Sequence, residues 1–101
     1  MSFTKEAYKV VAQLPREEQF GLASQLRRSS VSIPSNIAEG SKRGAKEFLH
    51  FLHIASGSAA EAETQLLLVR DMYRVDIQTA FSLLIEVERM LESFMAKMTR
   101  Q

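Results

Sequence analysis

Apolar residues fall three and four positions apart in four successive runs, the spacing that gathers side chains on one face of an α-helix. The first run is Phe3, Ala7, Val10 and Leu14, a helix of about 12 residues and about 18 Å. "LPREE" follows. Pro15 fits a first helical position, where its missing N–H is not needed, and Glu17 and Glu18 fit a first turn, where the helix dipole favours acids. A second helix is therefore expected to open there. Its apolar positions are Leu22, Leu26, Ile33 and Ile37, with Ser30 at the intermediate step. This register passes through Pro34 without slipping, which a flexible linker has no reason to preserve. It predicts one proline-kinked helix, with a clean break and a new helix from Pro34 as the alternative. Proline crowds the carbonyl four residues back, that of Ser30, and the hydroxyls of Ser29, Ser30 and Ser32 are candidates to bond the freed backbone groups. Gly40 and Gly44 are expected to end this helix and open the next.

The third run is Phe48, Leu52, Ala55, Ala59, Ala62, Leu66, Val69 and Tyr73, a helix of about 29 residues and about 43 Å. Its middle, "ASGSAAEA", is built of small residues that let another helix approach closely. Gly57 there implies a packing reason, because glycine disfavours helix interiors. Asp76 is placed to cap the fourth run, Ile77, Ala80, Leu84, Val87, Leu91, Phe94 and Met98. Short connections force successive helices to run antiparallel, so the predicted fold is all-α, an up-down-up-down four-helix bundle with a short first helix. That first helix leaves half of the bundle with three helices. The uncovered half holds Phe48, Phe51, Phe94, Met95 and Met98, and apolar surface of that extent is expected to be covered by a sister chain.

Composition narrows this picture only slightly. A chain of 101 residues with 46% hydrophobic and 25% charged residues makes one globular domain, residues 1–101, and not a disordered segment. Without cysteine it has no disulfide or thiolate metal site. It has neither an apolar run of membrane-spanning length nor a secretory leader, so a cytoplasmic location is expected.

The net charge of +1 hides a local excess. Between residues 27 and 46 stand Arg27, Arg28, Lys42, Arg43 and Lys46 against the single acid Glu39. Arg27, Lys42, Arg43 and Lys46 are candidate phosphate contacts, and keeping a helix end soluble is the plainer alternative. Gln25, Arg28, Ser32, Asn36 and Glu39 form a polar stripe beside the apolar face of the second helix. Their spacing permits bonds from Arg28 to Ser32 and from Asn36 to Glu39. Such a stripe reads first as a network fixing register or subunit orientation, and second as a ligand site.

At these residues the chain resembles a known family. "EQFGLASQLRRSSVSIPSNIAEGSKR" followed by "EFLHFLHIASGSAAEAETQLLL" is similar to the four-helix-bundle proteins first found encoded in intervening sequences of bacterial 23S ribosomal RNA genes. The most specific parts are SIPSNIAEG and the pattern Phe51, Leu52, Ala55, Gly57, Ser58, Glu61. The resemblance implies a bacterial cytosolic protein that assembles as a ring, commonly a pentamer. It also implies kinship with accessory proteins of diversity-generating retroelements, similar bundles that bind nucleic acid and a reverse transcriptase through a basic surface. It supplies no catalytic residue.

An enzyme would need a nucleophile with its base, paired carboxylates in a cleft, or a metal cluster. The nearest approach is Glu47, His50 and His53 in "EFLHFLH". Di-iron bundles use that Glu-x-x-His step twice, with two further glutamates, and here it occurs once. No cofactor and no metal are expected. The expected function is a non-enzymatic homo-oligomer that binds RNA or DNA without base specificity through the basic turn between the second and third helices. A scaffold that docks a protein partner is the alternative.

Overall fold

A computed structural model describes residues 2–100, and those residues form four α-helices and no strand. They are α1 (Ser2–Val11), α2 (Leu22–Ser41), α3 (Ala45–Tyr73) and α4 (Gln78–Thr99), with a 3-10 turn at Arg16–Glu18. The ends of the expected domain, residues 1 and 101, lie outside the described residues.

The first helix buries Phe3, Ala7 and Val10 as its spacing predicts. It then tightens, Gln13 N bonding Val10 O and Leu14 N bonding Val11 O, before Pro15, as the steric demands of proline on its predecessor require. The expected opening of the second helix at Pro15 is corrected here. Pro15 opens only the 3-10 turn, and the chain breaks at Gly21 before α2 begins at Leu22. The acid Glu18 still serves the helix start, but from four residues away: its Oε1 accepts the Leu22 N–H at 3.0 Å. The other carboxylate oxygen accepts the Tyr73 hydroxyl from the end of α3. That bond and the Leu22 bond hold the Glu18 pKa below its ordinary value.

From Leu22 to Ser41 the second helix is continuous through Pro34, so the alternative of a fresh helix at Pro34 does not hold. The carbonyl of Ser30, deprived of its usual donor by Pro34, accepts the Thr4 hydroxyl of α1 at 3.0 Å. Ser29 and Ser30, the expected helpers, turn back instead to Leu26 O and Arg27 O. Ser30 is fully buried, where an unanswered carbonyl costs about 1–3 kcal/mol. The bond from Thr4 therefore links a local defect of α2 to the docking of α1.

Neighbouring helices run antiparallel. Residue numbers fall along α3 as they rise along α2 in the pairs Ser29–Gln65, Ser32–Ser58 and Gly40–Phe51. The same holds for Thr4–Ser30 against the shared crevice of Val11 and Ala23, and for Glu63–Glu88 against Arg70 and Phe81. The second helix packs on α3, α3 on α4, and α1 on both α2 and α4. The core is a column of Leu26, Ile33, Leu52, Ala55, Ala59, Leu66, Val69, Leu84 and Leu91. At the α3–α4 connection, Arg74 adopts a left-handed conformation with φ 56°. Asp76 stands one residue before the N-cap of α4, which is Ile77 and not Asp76 as expected, and from there accepts the Gln78 N–H at 2.9 Å.

The molecule is 46 Å long, whereas the ten residues of α1 reach only about 15 Å. Beyond Phe3 the described residues supply three helices, and the core there is looser. Leu84 and Leu91 are buried while Phe94 is 46% exposed and Met95 and Met98 are half-buried. Ile33 gives way to a half-buried Ile37, and Leu52 to a half-buried Phe48.

Two glycines reverse their expected roles. Gly40 is not a terminator but a buried member of α2, and a Cβ there would lie 2.5 Å from Phe51 Cβ and 3.0 Å from Phe48 Cδ1. Gly57, where a packing reason is expected, would place a Cβ with no atom within 4 Å among the described residues outside its own stretch of α3, although mid-helix glycine costs about 1 kcal/mol against alanine.

Candidate functional site

The turn from α2 to α3 is built by Arg43 N bonding Gly40 O and by Gly44, which is extended and precedes the first residue of α3. On it the Arg43 guanidinium meets Glu39 at 2.7 Å and Glu47 at 3.1 Å and lies 5.1 Å from the Phe51 ring centroid. The bond to Glu39, then that to Glu47, raises the Arg43 pKa above its ordinary value. Arg43 thus clasps the end of one helix to the start of the next, and its charge is shared by two carboxylates. Lys42 and Lys46 are exposed beside it and make no ion pair among the described residues.

Arg27 does not join this group. It stands about 22 Å away along α2 and donates to Gln19 O at 3.1 Å. The structure therefore brings Lys42, Arg43 and Lys46 together with Glu39 and Glu47 and leaves Arg27 at the other end. The chain carries only part of the signal for the clasp: Glu39, Arg43 and Glu47 follow at intervals of four, but Arg43 stands between the two helices, so the turn and not helical periodicity brings the three together.

The polar stripe bonds differently from its spacing. Arg28 donates to Gln25 instead of Ser32. Asn36 reaches back to Ser32, 2.8 Å to its carbonyl and 2.9 Å to its hydroxyl, instead of forward to Glu39. Glu39 is taken by the stronger charge of Arg43, and Ser32 is drawn 2.7 Å from Ser58 on α3. Ser29 adds a 2.7 Å bond to Gln65. Ser58 and Gln65 escaped the sequence reading because only the pairing of α2 with α3 places them opposite the stripe. Among the described residues no buried side-chain polar atom lacks a partner, and of the five stripe residues it is Ser32 that is bonded to α3.

Exposed apolar side chains occupy more of the surface than the sequence suggests. Phe48 and Phe51 pack over Gly40, and Phe94, Met95 and Met98 line the loose end of α4. Yet Phe20 is 90% exposed and Met72 58%, both near the opposite end. A groove of about 690 Å³ runs there between α2 and α3, floored by Gly57, Ala60 and Thr64 and flanked by Leu22, Leu68 and Met72.

Other chemistry is sparse. His50 and His53 are exposed, Glu47 is held by Arg43, and among the described residues no three His, Cys, Asp or Glu side chains converge. Glu88, on the seam between α3 and α4, has its carboxyl pushed up to about 7, by burial first and then by the Glu63 hydrogen bond and the charges of Glu63 and Glu92. A raised acid favours the folded state most below its ordinary value of 4.5, and that contribution is lost as pH rises through about 7. No helix among the described residues is long and apolar enough to cross a membrane.

A family model described as 23S rRNA-intervening sequence protein matches residues 1–94. The chain belongs to that family. Within the 23S rRNA-intervening sequence family, the matched stretch takes in α1, the α2–α3 turn, the polar stripe and most of α4, and it ends at Phe94. A comparison with curated proteins finds no match.

Proposed function

We propose that this chain is a non-enzymatic scaffold that assembles with copies of itself through the three-helix half of the bundle, in a ring for which the family resemblance suggests five subunits. The observation that carries this reading is the loosening of the core from Leu91 to Met98. Side chains in the register of the buried column continue past the cover that α1 provides, an arrangement more typical of an interface core than of a solvated surface. A cytoplasmic location belongs to the same reading and is supported by a chain without cysteine. Sedimentation equilibrium at tens of micromolar is expected to give a defined multiple of the 11.4 kDa chain. A monomer under those conditions removes the proposal.

A second function, binding of RNA or DNA, is favoured by one observation: Lys42 on the turn and Lys46 at the start of α3 are exposed and make no ion pair among the described residues. A ring would repeat that pair around one end, and several phosphates neutralised together give affinity that falls steeply with salt. Single-stranded RNA is expected to bind at low salt and to lose affinity when Lys42 and Lys46 both become glutamate. Arg43 is the poorer probe, because its substitution also breaks the clasp. Affinity that ignores salt would favour docking of a protein partner instead.

A further inference from the structure

The groove between α2 and α3 presents an apolar surface that its own chain leaves open. Leu68 is 43% and Met72 58% exposed along its edge. Gly57 weakens α3 without a packing gain among the described residues, since none of them beyond its own stretch of helix lies within 4 Å of where its Cβ would stand. Together with Ala60 and Thr64 at steps of three and four, it leaves a trough along one face of the helix, the shape that admits a second helix at close range.

A convex counterpart lies on α4. Met90 is 38% and Phe94 46% exposed, one turn apart, and the exposed Lys97 continues the same ridge. The protomer cannot fill its own groove with this ridge, because α4 packs on α3 and α1 while the groove follows the seam of α2 with α3. The charges match as well. Glu61 is exposed on the groove and Lys97 on the ridge, and neither forms an ion pair among the described residues.

We propose that the α2–α3 groove seats the Met90, Phe94 and Lys97 ridge of a second copy of this chain, with Lys97 meeting Glu61. The two surfaces are unlike, so the contact is head-to-tail. Each copy in a chain of such contacts offers a groove to one neighbour and a ridge to the other, and a suitable rotation closes the series into a ring. This assignment rests on the self-assembly reading above and adds the surface that receives the loose end of α4.

Three variants test it: Leu68→Glu in the groove, Phe94→Glu on the ridge, and Gly57→Leu, which fills the trough. Each substituted position is exposed, and circular dichroism checks that each variant folds. Each alone is expected to weaken assembly by about thirtyfold or more. Diluted until the wild type dissociates, Gly57→Leu is expected to melt no lower than wild type, because leucine is the better helix former. Mixing Leu68→Glu with Phe94→Glu leaves one intact groove facing one intact ridge, so a two-chain species and nothing larger should form. If Leu68→Glu and Gly57→Leu assemble as the wild type does while Phe94→Glu does not, this assignment is overturned and self-assembly stands. A monomeric wild type overturns both.

Discussion

Leu84→Ala is expected to cost about 3–4 kcal/mol of folding stability, whereas Met98→Ala, on the same helix, should cost less than about 1 kcal/mol in dilute solution. Leu84 is fully buried and Met98 only half-buried. The first deletion leaves a cavity between α4 and the helices around it, where the surroundings relax only in part. The second removes atoms from a site already open to water. In thermal melts of a domain this size the Leu84 variant should fall by roughly 12–25 °C. The Met98 deficit should grow with protein concentration, since side chains covered by a sister chain become core residues of the assembly. Equal, concentration-independent losses at both positions would mean that the far end of the bundle is as closed as its middle.

Gly40→Ala should be the most damaging single-methyl change in the molecule, at about 2–3 kcal/mol. Alanine is the better helix former by about 1 kcal/mol, so the expected loss runs against propensity. The added carbon would lie 2.5 Å from Phe51 Cβ. That atom is fixed to the backbone of α3 and cannot rotate away, so the two helices must separate. For this reason Phe51→Ala, which keeps its Cβ, is not expected to rescue the variant. The control is Gly57→Ala, which meets no atom within 4 Å and should gain up to about 1 kcal/mol. Urea denaturation of the two variants side by side decides the matter, and a Gly40→Ala protein as stable as wild type would show that α2 and α3 pack less tightly there.

The contrast between these glycines marks how far the chain could be read. Periodicity alone located the burial of α3, from Leu52 through Val69, and carried α2 through Pro34, because an apolar register records which face a helix buries. It did not reveal which glycine was crowded. A residue without a side chain leaves no periodic mark, and only the crossing of two helices brings Phe51 onto Gly40. The start of α2 was misread for a related reason. Pro15, Glu17 and Glu18 are sound local signals for a helix start, but the bond from Leu22 to Glu18 and that from Tyr73 to the same carboxylate moved the start beyond Gly21.

The candidate surfaces were legible in composition and less so in arrangement. Lys42, Arg43 and Lys46 do share one turn, while Arg27 belongs to the other end because α2 is a single rod and not a loop folded back on itself. The partners of Arg28, Asn36 and Glu39 could not be chosen from spacing within one helix. Ser58 on α3 and Arg43 on the turn compete for the same atoms, and they win on distance and charge.

Pro34 has one more consequence. The backbone of an α-helix interior is chemically monotonous, every carbonyl answered and every turn alike, so by itself it gives a short neighbour no axial mark. The imino ring leaves one acceptor vacant partway along the rod, at Ser30, and Thr4 occupies it. Together with the burial of Phe3, Ala7 and Val10, that bond marks one axial setting for the first helix, and the setting determines how much of the bundle α1 covers.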